Sequence, residues 1–304
     1  MQVPVPMRAA VAALALAASS GAALAQAAPP MPEGYAAAPT ANVSGYFAHW
    51  FDRVNAAQAS QPHWITPLVT VTPRLEEEVR YDQYWEHQAT GAAITTYGSG
   101  KGLELIPTTT NEILLNPPIY DQRTVKKPAA GWGDDPFLVI KQRLLSANEE
   151  QGNYILTTFL GVQAPTGNRT FTNDAWVVTP TLAGGKGWGD FDIQATVGVP
   201  VPLAHERVIG TAVVTNVTLQ YHVATYFWPE IEMNWTNWLD GVRGGKNQVF
   251  VTPGIVVGRF PIYGRVRLIV GGGYQLAVSP KLSREPVLTP VYDHAWIFTA
   301  RVTF

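Results

Sequence analysis

Phe191-Asp192-Ile193-Gln194-Ala195-Thr196-Val197-Gly198-Val199 alternates without a break, apolar at every odd position and small or polar at every even one. A period of two marks an extended strand whose faces meet different surroundings. Val213 to Val223 repeats it, with Val213, Val217, Leu219, Tyr221 and Val223 on one face and Asn216, Thr218, Gln220 and His222 on the other. Outward from these, the same rule marks strands near 75–88, 102–115, 135–145, 152–163, 175–184, 190–200, 209–223, 226–238, 247–259, 264–278 and 293–304, with Trp64 to Thr72 as a twelfth. Twelve strands over residues 63–304 leave about 20 residues for each strand and its connection, which suits a closed up-and-down sheet with short turns at one end. Phe260 to Tyr263 and Ala224-Thr225 read as tight connections, and 116–134, 164–173 and 279–293 as long ones. The stretch 89–101 is long where a short turn belongs.

The position of the charges decides which face meets lipid. Glu76, Glu78, Arg80, Asp82 and Glu86 share one parity against Val79, Tyr81 and Trp85. Glu230 and Glu232 oppose Ile231, Met233 and Trp235, while Arg265 and Arg267 oppose Val266 and Leu268. An Arg on the lipid side at mid-depth costs about 2–4 kcal/mol, so the charges belong inside. Unpaired backbone groups in lipid cost several kcal/mol each, so the sheet must close. Trp85, Trp176, Trp235 and Trp296 lie near strand ends, the pattern of an interfacial girdle and not of a soluble sandwich core. The expected fold is all-β: a transmembrane antiparallel up-and-down β-barrel of about 12 strands with a short N-terminal periplasmic extension. Glu76, Glu78, Arg80, Asp82, Glu230, Glu232, Arg265, Arg267 and Arg301 are its expected lumen-lining, selectivity-setting residues.

Composition agrees. Of 304 residues, 46% are apolar and 14% charged, well below the charge content of an ordinary soluble domain. After the leader, no segment approaches the ~20 consecutive apolar residues of a spanning helix. A net charge of −2 gives no footprint for nucleic acid. The absence of cysteine excludes disulfides, thiolate metal sites and an acylated N-terminal cysteine. Arg8, the run Ala9 to Ala18 and Ala23-Leu24-Ala25 read as a secretory signal over residues 1–25, removed on export. Residues 26–62 are an Ala/Pro-rich linker in which Tyr46, Phe47, Trp50, Phe51 and Val54 have amphipathic helical spacing. That helix is suited to a membrane surface, a pore plug, a partner or its own domain. The barrel proper is expected over 63–304.

At the end of the chain, Trp296, Phe298, Val302 and Phe304 alternate with Ile297, Arg301 and Thr303. This strand resembles the C-terminal signal by which the barrel-assembly machinery recognises its clients. The expected location is the outer membrane of a Gram-negative bacterium, with the lipid bilayer, that machinery and a small-molecule solute as partners.

Gly100-Lys101-Gly102-Leu103-Glu104-Leu105-Ile106-Pro107, Gly131-Trp132-Gly133-Asp134, Lys141-Gln142-Arg143-Leu144-Leu145 and Gly161-Val162-Gln163-Ala164-Pro165-Thr166-Gly167 together resemble the outer-membrane transporters of the phenol-degradation meta-pathway family. The resemblance spans roughly residues 63 to 304 and implies passage of small, often hydrophobic or aromatic, solutes; it transfers no substrate residues. The tetrapeptide Gly-Trp-Gly-Asp recurs at 187–190, and turn chemistry with an interfacial Trp accounts for both copies.

Hydrolase chemistry finds little footing. The six histidines are scattered and no Gly-x-Ser-x-Gly elbow occurs. His222, the strongest candidate, reads as a hydrogen-bonded lumen residue. Glu86 and His87 point to opposite faces, so they make no metal site. Gly271-Gly272-Gly273 reads as a place of curvature or close side-chain approach. No catalytic residue, cofactor or metal is expected. A passive channel with a charged lumen is the leading reading, and a lipid hydrolase or a non-conducting structural barrel are the alternatives.

Overall fold

The computed structural model describes residues 43–88, 91–98, 101–125, 127–280 and 292–304, so the leader, residues 26–42 of the linker, Gly100 of the family motif and residues 281–291 lie outside the described residues. Two units divide the chain at Phe51 and Asp52. In the first, helix α1 spans Val43–Ala48, and the Tyr46 ring meets Phe47 and Trp50 edge-on at 5.3 and 5.8 Å. Helix α2 spans Trp50–Ala59.

The second unit is a closed sheet. Strand β1 is Glu78–His87; β2 comes in two pieces, Ala93–Tyr97 and Leu103–Thr108; β3 likewise, Asn111–Leu115 and Tyr120–Arg123; and β4 as Ala129–Trp132 and Asp135–Ala147. Then follow β5 Tyr154–Ala164, β6 Val177–Trp188, β7 Phe191–Gly198 continued by Val201–Pro202, and β8 Ala212–Tyr221. The last four are β9 Phe227–Trp238, β10 Asn247–Tyr263, β11 Val266–Ser279 and β12 His294–Thr303. Each strand pairs antiparallel with the next, and β1 pairs with both β2 (Gln83 opposite Tyr97, Glu78 opposite Glu104) and β12 (Glu78 opposite Thr303 through His87 opposite His294). The ladder therefore has no free edge, the condition that hydrocarbon imposes on a sheet.

The polarity of a soluble protein is reversed. Glu78, Arg80, Asp82, Lys141, Glu232 and Arg301 are buried on the inner face, while Val79, Tyr81, Leu160, Ile231, Trp235 and Phe298 are exposed on the outer one. Buried charge and exposed apolar surface in strict alternation fit a sheet immersed in lipid.

The count of twelve arises differently from the sequence reading. Trp64 to Thr72 is not a strand. Instead the run 102–115 is a hairpin, turning at Thr109 and Thr110, and supplies parts of two strands. The stretch 116–134 is not one long loop, because it carries the upper pieces of β3 and β4; 89–101 holds the upper piece of β2. Phe260 to Tyr263 ends β10, and the turn falls at Gly264 and Arg265. With these corrections the connections alternate throughout: 109–110, 148–153, 189–190, 222–226 and 264–265 lie at the end holding both termini of the sheet, and β1 and β2, β3 and β4, β5 and β6, β7 and β8, β9 and β10, and β11 and β12 are joined at the other. These are called below the short-turn and long-loop ends.

Candidate functional site

The lumen is occupied by the chain itself. Gln61 and Leu75 clasp each other, the Gln61 Nε2 donating to the Leu75 carbonyl (2.8 Å) and the Leu75 N–H to Gln61 Oε1 (2.9 Å). Between them the chain has no regular structure, so its buried N–H and C=O groups need partners from elsewhere. Irregular backbone at membrane depth is tolerated only when protein or water satisfies it. Here the wall does so. Arg301 donates to the carbonyls of Thr66 (2.5 Å) and Pro67 (2.7 Å), and Arg80 to that of Leu68 (2.5 Å). Glu230 accepts from the Leu68 N–H (2.9 Å), and the two oxygens of Glu232 accept from Val69 (2.7 Å) and Thr70 (2.6 Å). Gln194 donates to the Ile65 carbonyl (3.0 Å) and accepts from the Thr72 hydroxyl (2.7 Å). Thr157 and Lys141 donate to the carbonyls of Pro73 (2.6 Å) and Arg74 (3.2 Å). Hydrogen bonds to charged groups contribute about 1.5–3 kcal/mol each, so this loop is held firmly.

Apolar packing adds to the grip. Ile65 and Leu68 form a buried cluster with Trp228, Val256 and Ile269, flanked by Val69. Leu68 sits where β10 and β11 carry glycine: a Cβ at Gly254 would stand 2.4 Å from Leu68 Cδ1, and one at Gly273 2.8 Å from the same atom. The central run of β11 is thus a place of close side-chain approach. Trp64 uses a second gap, over Gly185 and Gly187 of β6.

At the short-turn end the loop is tied to helix α2 and its neighbours. Arg143 donates to the Ala57 carbonyl (2.8 Å), a cation at the helix C-terminus where the dipole favours it. The His63 N–H and ring bond Glu149 at 2.5 and 2.8 Å. Burial acts to raise the Glu149 carboxyl, but these bonds outweigh it and hold the group below its ordinary range.

The expected lumen residues fall into three groups. Arg80, Glu230, Glu232 and Arg301 grip the loop, while Asp82 binds Arg80 through both oxygens (2.9 and 3.0 Å). Glu76 lies on the threading segment and not on the wall, pairing with Arg74 at 2.8 Å and donating its N–H to Glu112 (2.6 Å). Glu78, Arg265 and Arg267 border the short-turn mouth, Arg265 donating to Asn55 Oδ1 (3.2 Å) and Arg267 to the Gly264 carbonyl (2.6 Å). On β12, Trp296, Phe298 and Val302 face outward, and the Phe304 N–H donates to the Glu77 carbonyl (3.1 Å).

Gln61, Glu112, Lys141, Gln194 and Arg259 belong to the same network. Inner-face parity marks Glu112, Lys141 and Gln194, whereas Arg259 has the wrong parity in sequence and Gln61 lies before the first strand. His222 stacks on Trp228, with ring centroids 4.2 Å apart, and its Nε2 has no hydrogen-bond partner among the described residues. No group of three or more His, Asp or Glu fit to hold a metal occurs among the described residues.

No family model matches the chain, and no curated protein does. Among solved structures, the chain is similar to NanC porin at 8% identity and a TM-score of 0.45, over 75% of this chain and 98% of the porin. It is similar to an outer membrane channel from Pseudomonas putida F1 at 14% identity and a TM-score of 0.47, over 75% and 94%. OmpF of Salmonella typhi gives 10% identity and a TM-score of 0.35, over 75% and 96%. The fold assignment rests on the closed strand pairing and not on these likenesses.

Proposed function

We propose that the chain is an outer-membrane channel for small solutes, held shut here by the loop between Gln61 and Leu75. The observation that carries this reading is the pairing of wall charges with the backbone of a segment that belongs to no strand. Arg80, Glu230, Glu232 and Arg301 each bond the backbone of this loop; Glu230 and Glu232 also accept from Gln220 and Thr218 of β8, so the wall is braced and the loop held by the same carboxylates. A purely structural barrel has no need of buried ions, because well-packed apolar residues fill a core at equal or lower cost. With the loop withdrawn, the same groups would face water and set selectivity. The final strand, Trp296 to Phe304, would serve as the assembly signal, and the solutes are those the family resemblance implies, small and often aromatic.

Single-channel recording in planar bilayers tests this. The full mature chain should be silent or open briefly, and a chain beginning at Glu78, first checked for folding by gel mobility, should show long discrete steps. Silence in both would favour the structural barrel, and identical conductance in both would deny the loop a gating role.

A further inference from the structure

Part of the barrel at the short-turn end is not filled by the loop. A cavity of about 320 Å³ lies there, bordered by Ile65, Arg74, Arg259, Arg265, Arg267 and Ile269. Two carboxylates, Glu76 and Glu78, also border it. Glu76 is already engaged by Arg74 at 2.8 Å.

Among the described residues, Arg259 and Arg267, like Arg143 and Arg301, have no carboxylate partner, but unlike those two they border this cavity. Arg80 has Asp82 and Lys141 has Glu112, each within 2.9 Å. The hydrogen bonds of Arg259 and Arg267 go only to neutral carbonyls, those of Trp64 (2.6 Å) for the first and of Gly264 (2.6 Å) and Val266 (3.2 Å) for the second. Among the described residues, no carboxylate lies within 4 Å of either guanidinium. Both guanidiniums are part-buried and have no counter-ion, so two positive charges facing one cavity favour an anion entering it.

The backbone at Arg259 points the same way. Strict alternation would send this side chain to lipid. A bulge between Gly258 and Phe260 inserts it as an extra residue, with φ at +61° in the left-handed region. That conformation costs a non-glycine residue free energy, and bulges that re-aim a side chain gather at functional sites. The result is a guanidinium in the lumen, 5.5 Å above the Trp228 ring.

We propose that this cavity binds a small organic monoanion, its carboxylate received by Arg259 and Arg267 and its apolar body by Ile65 and Ile269. Planar guanidinium forks suit a carboxylate. Glu78 disfavours a polyanion, and the aliphatic lining favours a ligand with an apolar body over a bare ion. The proposal names the solute class of the channel proposed above and rests on that reading, but binding is measurable without conduction.

Isothermal titration calorimetry of the full mature chain, folded in detergent, tests it with benzoate, the neutral isostere benzyl alcohol, and inorganic phosphate. Saturable benzoate binding is expected, weakening with salt, with benzyl alcohol and phosphate at least tenfold weaker. Arg259→Gln and Arg267→Gln should each weaken benzoate at least tenfold; Arg267 makes no hydrogen bond to the loop, which separates ligand contact from loop anchoring. Arg259→Lys keeps the charge but not the fork and should fall between native and Gln. Absent benzoate binding, equal affinity for benzyl alcohol, equal or tighter phosphate binding, or unchanged affinity in folded Arg259→Gln and Arg267→Gln variants would overturn the proposal. Binding without any conductance would keep the site and remove the channel.

Discussion

Leu68→Ala weakens the loop while leaving every wall residue intact. Leu68 is fully buried, and its methyl groups fill the gap over Gly254, Gly271 and Gly273. Leu→Ala at buried sites costs about 2.7–5 kcal/mol, more where the surroundings cannot collapse. The walls of this gap are strand backbone fixed by the ladder, so about 3–5 kcal/mol is the applicable range. Once the loop has left, the truncation costs the barrel nothing, so the loss falls on the closed state alone. At about 1.4 kcal/mol per decade, the ratio of open to closed channels should rise roughly 100- to 4,000-fold. Open probability of the full chain in planar bilayers reads this directly, and amide exchange at Leu68, Val69 and Thr70 should accelerate in parallel. Gly254→Ala attacks the same contact from the wall, because its Cβ would stand 2.4 Å from Leu68 Cδ1. The double variant should be less than additive, since the new methyl group enters the space that leucine vacates. Native open probability and exchange rates in Leu68→Ala, alongside steady conduction by the chain beginning at Glu78, would refute this account of the closed state.

Two further outcomes follow from the same geometry. The Glu149 carboxyl is held below its unfolded value of 4.5, so its stabilisation is complete above that value and is lost as pH falls through the lower folded one. Protease cleavage within residues 52–77 should therefore increase on acidification from about pH 5 to about pH 3, and increase less in Glu149→Gln; an equal increase in both would remove His63–Glu149 from the latch. On the outer face, Ile231→Arg should lower barrel stability in lipid vesicles by about 2–4 kcal/mol, read from the urea midpoint, and an unshifted midpoint would contradict lipid immersion of β9.

The barrel was legible because its two faces obey one rule over many residues. The parity of Glu230 and Glu232 against Ile231 and Met233 is a local pattern, and it places both carboxylates on the buried face. The loop was not legible for the opposite reason. Trp64 to Thr72 holds alternating apolar residues that satisfy a strand pattern, and nothing local tells a segment that pairs with strands from one that is gripped by their side chains. Many of its partners lie more than a hundred residues away, as in Leu68 with Glu230 and Thr66 with Arg301. The glycines of β11 carried a partial signal, since close side-chain approach was one of their two readings. Arg259 was hidden because a bulge breaks the parity rule without a glycine or proline at the inserted position to announce it.

Under the proposed function, the grip of wall side chains on loop backbone makes closure and permeation two uses of one set of ions. While the loop is in place, Glu232 is solvated by the amides of Val69 and Thr70, and Arg301 by the carbonyls of Thr66 and Pro67. Withdrawal strips these ions of that shell, and water must enter at the same moment to replace it. Opening is then a hydration event, with a rate sensitive to osmotic stress. Any substitution that retunes which ion passes must also reset how often the passage exists.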